Sequence, residues 1–180
     1  MDGFSTALGL FWPQIGFEPV SEPNLRLLKR STTKPVRGDV FALSPVDGLF
    51  LFGRVIRSDL PRGLAPMPGA YLIYIYRGRS TEMQPQRSEL RRSELLLAPL
   101  FINRMPWTKG YFQTVVNWPV SDEDLVAQHC FLSAGRGRYY DENFEELPGP
   151  FEPCGDWALH SYRTFDDELA EALKIPKAPI

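Results

Sequence analysis

Histidine is nearly absent: His129 and His160 are the only two among 180 residues. A two-metal hydrolase needs more imidazole and carboxylate ligands converging than such a chain supplies. Cysteine is equally scarce, and Cys130 and Cys154 form no CxxC pair. A structural zinc site takes four ligands; both His and both Cys would be consumed, at a spacing that fits no zinc knuckle. If His129–Ser133 is a strand, His129 and Cys130 point to opposite faces and cannot act as base and nucleophile. No catalytic residue, metal or cofactor is expected. The two thiols read as small buried hydrophobes of a reducing compartment, without a disulfide.

Long apolar runs are missing as well. None reaches the roughly 18 residues needed to span a bilayer. The first basic residue is Arg26, and Pro13 interrupts the apolar stretch Phe4–Phe17, so no export signal is read. Asp2 stands where myristoylation needs glycine. These features predict a cytoplasmic protein with no membrane partner. There is no internal repeat and no low-complexity tract. Gly135-Arg136-Gly137-Arg138 lacks the ending and the following helix of a phosphate loop, so it reads as a turn.

Apolar residues make up 43% of the chain and aromatics 13%, enough to build a core without staples. Seventeen prolines and 14 glycines cut it into short elements. Residues 1–33 read as an extension docked on the body, because Phe4, Leu8, Phe11, Trp12, Ile15 and Phe17 are too apolar for a solvated tail. The domain proper then covers 34–180. Asp39–Ser44 and Leu49–Arg57 read as a hairpin across Asp47-Gly48. The run Ala70–Arg77, A-Y-L-I-Y-I-Y-R, predicts a central strand covered on both faces.

Further on, Glu89–Leu97 could be a helix and Leu95–Ile102 a strand, and the pattern does not separate them. Gly110–Asn117 reads as a strand, and Ser121 followed by Asp122, Glu123 and Asp124 as the start of a short helix to about Gln128. His129–Ser133, Arg136–Glu142 and Asp156–Tyr162 read as strands. Thr164 is the predicted cap of a terminal helix whose stripe is Phe165, Leu169, Ala172 and Leu173. The fold class is α+β: a bent, partly barrel-like antiparallel sheet with few short helices and a C-terminal helix.

Charge is unevenly placed. Residues 1–120 hold 15 Lys/Arg against 9 Asp/Glu, and residues 121–180 hold 5 against 13. Mixing of both signs on the folded surface is the plainer expectation, and no nucleic-acid partner is expected from a net charge of −2. Helix N-termini account for the acids near 122 and 166. They do not account for Asp141, Glu142, Glu145 and Glu146. With Tyr139, Tyr140 and Phe144 as apolar anchors, these acids form the candidate partner-binding segment.

An ordered series of segments carries a resemblance. It comprises Lys34-Pro35-Val36-Arg37-Gly38-Asp39-Val40-Phe41-Ala42-Leu43, Gly53-Arg54-Val55, Leu72-Ile73-Tyr74-Ile75-Tyr76 and Pro99-Leu100-Phe101-Ile102. It continues with Trp107-Thr108-Lys109-Gly110-Tyr111-Phe112, His129-Cys130-Phe131, Tyr139-Tyr140-Asp141, Gly155-Asp156-Trp157-Ala158-Leu159-His160-Ser161-Tyr162 and Phe165-Asp166-Asp167-Glu168. Over roughly 34–176 the chain resembles the bacterial immunity protein 26 family of polymorphic toxin systems. The resemblance implies a small α+β protein that binds and neutralises a cognate toxin, here one with a basic surface. The grouping also holds proteins named as small phosphotriesterases, so a phosphotriester hydrolase is the alternative it implies. It brings no catalytic residues with it.

Overall fold

A computed structural model describes residues 22–179. The Phe4–Phe17 part of the expected N-terminal extension lies outside the described residues.

The apolar run that predicts a central strand is one. Strands β1 (Asp39–Val46), β2 (Leu49–Leu60) and β3 (Ala70–Ser80) form an antiparallel meander, and the Asp47-Gly48 turn joins the first two. Gly48 supplies the left-handed conformation that the tight turn needs (φ 71°). Strands β4 (Leu100–Ile102), β5 (Gln113–Asn117) and β10 (Leu159–His160) complete a six-stranded sheet ordered β10-β4-β3-β2-β1-β5. Alternation along β3 serves two cores. Tyr71, Ile73 and Ile75 pack on one face with Phe41, Trp107, Phe112 and the helix residues Phe165 and Leu169. Leu72, Tyr74 and Tyr76 pack on the other with Phe52, Phe101, Val126 and Phe131. Gly53 sits mid-strand because a Cβ there would run into the Phe41 ring.

A second sheet of four strands covers the latter face, ordered β8-β7-β6-β9: β6 (Cys130–Ser133), β7 (Arg138–Tyr140), β8 (Glu146–Leu147) and β9 (Cys154–Asp156). The class is α+β as expected, but the sheets are mixed and do not close into a barrel. β4 pairs parallel with β10, and β6 parallel with β9. The parallel β6–β9 register sets Cys130 directly opposite Cys154, with Cα atoms 4.6 Å apart, and the two form a disulfide. The expectation of two free thiols is overturned. Its physical reason is that pairing across 24 residues brings together cysteines whose spacing gives no local sign of it.

Several local expectations shift. Of the two alternatives over residues 89–102, the strand forms in part, as β4 with a Tyr76–Leu95 bridge before it, while single 3-10 turns occupy Arg87–Glu89 and Arg92–Glu94. Residues 105–109 form a short helix, α1 (Met105–Lys109), closed by left-handed Gly110, so β5 starts at Gln113 rather than Gly110. The helix expected from Ser121 stops after one 3-10 turn, Asp122–Asp124, although its Ser121–Asp124 capping box forms. Arg136–Glu142 contributes only Arg138–Tyr140, and the strand expected over Asp156–Tyr162 splits into β9 and β10. The terminal helix, α2 (Tyr162–Leu173), is capped by Ser161. Thr164 is the reciprocal partner three residues on: Ser161 Oγ accepts from the Thr164 N–H at 3.3 Å, and Thr164 Oγ1 accepts from the Ser161 N–H at 2.9 Å.

Residues 24–31 lie as a strap across the body. Asp166, buried in the first turns of α2, accepts the Asn24 and Leu25 N–H groups at 2.9 and 3.1 Å. Arg26, Leu28 and Ser31 then donate to the carbonyls of Ser44, Gly110 and Trp107. Replacing Ser161 with alanine should lower stability by about 1 kcal/mol. Chemical denaturation measures it, and a cost confined to Thr164→Ala would place the cap where the sequence pattern put it.

Candidate functional site

The seven candidate residues sit on the β7–β8 hairpin, and they do not share one face. Within β7, Tyr139 and Tyr140 alternate to opposite sides of the small sheet. Tyr140 is buried and stacks on Phe144 with ring centroids 4.3 Å apart; Phe144 in turn meets Trp157 at 4.6 Å. The exposed Arg136 guanidinium lies 4.8 Å over the Phe144 ring. Phe144 adopts φ 65°, a conformation rarely taken by a bulky residue and one that costs on the order of 1–3 kcal/mol.

Each acid has a distinct setting. Asp141 organises the tip: its Oδ1 accepts the N–H groups of Asn143 and Glu145, both at 2.8 Å. Glu142 turns inward to His129, with Oε2 3.1 Å from Nδ1. Glu146 meets Arg138 through both oxygens at 3.0 and 2.7 Å, a solvent-exposed pair of small energetic worth. Glu145 remains exposed at the tip.

Beneath the tip runs a buried polar chain that starts on the central strand. The Val126 N–H donates to Tyr74 Oη at 3.1 Å, so the Tyr74 proton is directed at His129 Nε2, 2.6 Å away. That assigns the remaining ring proton to Nδ1, which donates to Glu142. The hydrogen bond from His129 holds the Glu142 carboxyl below its ordinary range against the opposing effect of burial. Burial pushes the Tyr74 hydroxyl up to about 12. From β2, the Arg57 guanidinium donates to the Glu142 carbonyl at 2.6 Å and to Asn143 Oδ1 at 3.1 Å. The order Tyr–His–Glu resembles a nucleophile with its base and orienting acid. Yet Tyr74 is fully buried and its oxygen already accepts a backbone proton, leaving no approach for a reacting atom. The chain positions the tip.

An open cavity of about 430 Å³ lies beside it, bordered by Arg92, Asp122, Gln128, His129, Asp141 and Glu142. Apart from that polar chain, His160 faces two acceptors: the Phe101 carbonyl at 3.0 Å from Nδ1 and Glu168 Oε1 at 2.6 Å from Nε2. Two acceptors at once favour the doubly protonated ring. Burial opposes that charge, but the Glu168 hydrogen bond and its negative charge outweigh it and raise the His160 pKa above 6.5. Among the described residues, no three His, Cys, Asp or Glu side chains gather to hold a metal ion, and no helix is long and apolar enough to cross a membrane.

His129, Tyr74, Arg57 and Trp157 were not among the sequence candidates. Tyr74, His129 and Trp157 all lie within segments that carry the family resemblance, the one available pointer; Arg57 does not, and its partners lie 85 and 86 residues away. Residues 36–139, more than half of the chain, match the model of a family described as Immunity protein 26. No curated protein and no solved structure matches.

Two measurements check the electrostatics. Tyr74→Phe removes the link between Val126 and His129 and should cost about 2 kcal/mol, since both partners stay buried. For His160, whose folded pKa is raised, the stabilisation is full below 6.5 and is lost as pH rises through the folded value. The wild type should therefore lose stability relative to Glu168→Gln as pH is raised from 6 to 9. Parallel stability curves for the two proteins would refute the charged pair.

Proposed function

Because the chain belongs to the immunity protein 26 family, we propose that it binds and neutralises a protein toxin in the cytoplasm, using the β7–β8 hairpin as its grip. The family is generally non-enzymatic, in keeping with a protein that acts by occupying its partner. The observation that carries the reading is the tip itself. Phe144 is held in a costly left-handed conformation, stacked between Tyr140 and Trp157, while exposed Glu145 and Glu146 flank it. Strain maintained by surrounding contacts marks positions kept for a task. Support from Arg57, His129 and Trp157 fixes the tip in advance, so little ordering entropy remains to be lost on binding.

The matched family segment stops at Tyr139, and the tip Asp141–Glu146 lies just beyond it. The carboxylates call for a toxin with a basic patch, and Phe144 supplies an apolar anchor at its centre. Asp141 and Glu142 hold the tip in shape, so they are unsuitable probes of contact.

The test uses candidate toxin domains taken from the reading frames that neighbour this chain's gene. Glu145→Lys should slow association severalfold at low ionic strength, and the difference should shrink at high salt. Phe144→Ala should speed dissociation about tenfold. Stopped-flow or surface-plasmon kinetics read both. Rates unchanged in both variants would move the contact surface elsewhere, and absence of binding by the wild type would overturn the reading.

A further inference from the structure

The disulfide stands where the hairpin is rooted. The segment between Cys130 and Cys154 contains all of β7, the tip and β8, so the bond closes the base of the loop that carries the proposed grip. Each cysteine adjoins one of the tip's supports. Cys130 follows His129, which holds Glu142. Cys154 begins β9, which leads directly into Trp157; the Trp157 N–H donates to the Leu132 carbonyl at 2.9 Å and its ring packs on Phe144. The β6–β9 ladder itself has only three residue pairs, so the covalent bond is a large part of what joins these strands.

The two sulfurs differ in access. Cys130 is fully buried, whereas Cys154 is half-buried and opens on a cavity of about 200 Å³. That cavity is shared with Pro99, Asp156, His160 and Glu168. His160 on the wall is paired with Glu168, and Asp156 stands beside them, so access rather than charge singles out the Cys154 sulfur.

We propose that Cys130–Cys154 is an exchange site for small thiols, and that its redox state sets how firmly the β7–β8 hairpin is held. The consequence for binding rests on the hairpin being the toxin-facing surface. A thiolate enters the cavity and attacks the Cys154 sulfur. The S–S bond breaks, and the Cys130 sulfur leaves with the electron pair and takes up a proton. A second thiol then attacks the outer sulfur of the mixed disulfide, releasing the Cys154 thiol and an external disulfide. Two thiols thus supply the two electrons, and an external disulfide drives the reverse. In a reducing cytoplasm the dithiol is the resting form, and oxidation closes the clasp.

The experiment compares the full chain, oxidised and after reduction with glutathione or dithiothreitol. The mixed glutathione adduct should appear on the Cys154 peptide, and an adduct on Cys130 instead would overturn the proposed attack. Amide hydrogen exchange across 138–158 should quicken at least tenfold on reduction while exchange across 70–76 stays unchanged. Cys154→Ser should behave as the reduced form; the reduced wild type provides the same comparison without a substitution. Equal exchange across 138–158 in both forms overturns redox control, whatever the toxin does. Affinity for a candidate toxin domain that the oxidised form binds should fall about tenfold on reduction. If exchange differs and affinity does not, the hairpin is not the contact surface and the redox effect does not reach binding. Failure of both forms to bind counts against the immunity reading alone and leaves the exchange result to judge the clasp.

Discussion

The arrangement of the second half of the chain hangs on one buried cation. Arg54 lies in the middle of β2 and is 3% exposed. Its Nη2 donates to the Trp118 and Pro119 carbonyls at 2.9 and 2.7 Å, and its Nη1 meets Asp124 at 3.1 Å. A guanidinium taken out of water is costly unless its donors are matched and its charge is paired. Here the matching groups all come from the segment that crosses the sheet after β5. Arg54 Nε has no partner among the described residues, but with both Nη groups engaged that crossing has a fixed path, and Val126 is delivered to the Tyr74 hydroxyl. His129 follows three residues later and reaches Glu142. The position of the tip is thus set by contacts that begin on the central strands.

The two cores divide the labour. On one face of the large sheet, α2, α1 and the strap bury Phe41, Trp107, Phe112 and Phe165 in a contact set that is almost wholly apolar. Such a core contributes stability without directional demands. The opposite face mixes aromatics with Arg54, Tyr74 and His129, and it lies under the small sheet. Arg54 Nε and Tyr76 Oη stay unpartnered there among the described residues, but the polar groups that do pair restrict how the small sheet can sit. The apolar face holds the domain together, and the polar face orients what it presents.

What was legible in the sequence follows from range. The β1–β2 turn, the doubly covered β3 and the apolar stripe of α2 are each written in a few consecutive residues, and each was readable. The cap of α2 was misplaced by three residues because Ser161 and Thr164 exchange hydrogen bonds, and either hydroxyl looks like a cap. The small sheet could be foreseen only in pieces. Its parallel β6–β9 pairing joins residues 24 apart, and no local pattern encodes the register that sets Cys130 against Cys154. Of the candidate segment, the aromatic content was legible, while the stacking of Phe144 on Tyr140 and Trp157 was not. The inward turn of Glu142 was not, because its partner is a histidine held by a tyrosine far upstream.

That same inward turn changes the meaning of the charge asymmetry. A chain with a basic first part and an acidic last third could present two opposed faces, or it could pair the excess of one against the other during folding. Among the described residues one ion pair, Arg54–Asp124, joins the two parts, and the other buried acids are spent within the last third or on backbone. Asp124 serves Arg54, Glu142 serves His129 beside the Arg57 clamp, Glu168 serves His160, and Asp166 is spent on the backbone of the strap. Acids that look alike in sequence therefore divide by what lies beneath them. Those with a buried donor within reach fix one element to another, and a partner cannot recruit them without loosening the fold. Asp122, Glu123 and Glu145 stay exposed, and they alone among the acids of residues 121–145 keep their charge for the surface. A binding face built here has to draw its specificity from few charges held in place by many, which is the relation between the exposed Glu145 and the Asp141 and Glu142 groups that shape its turn.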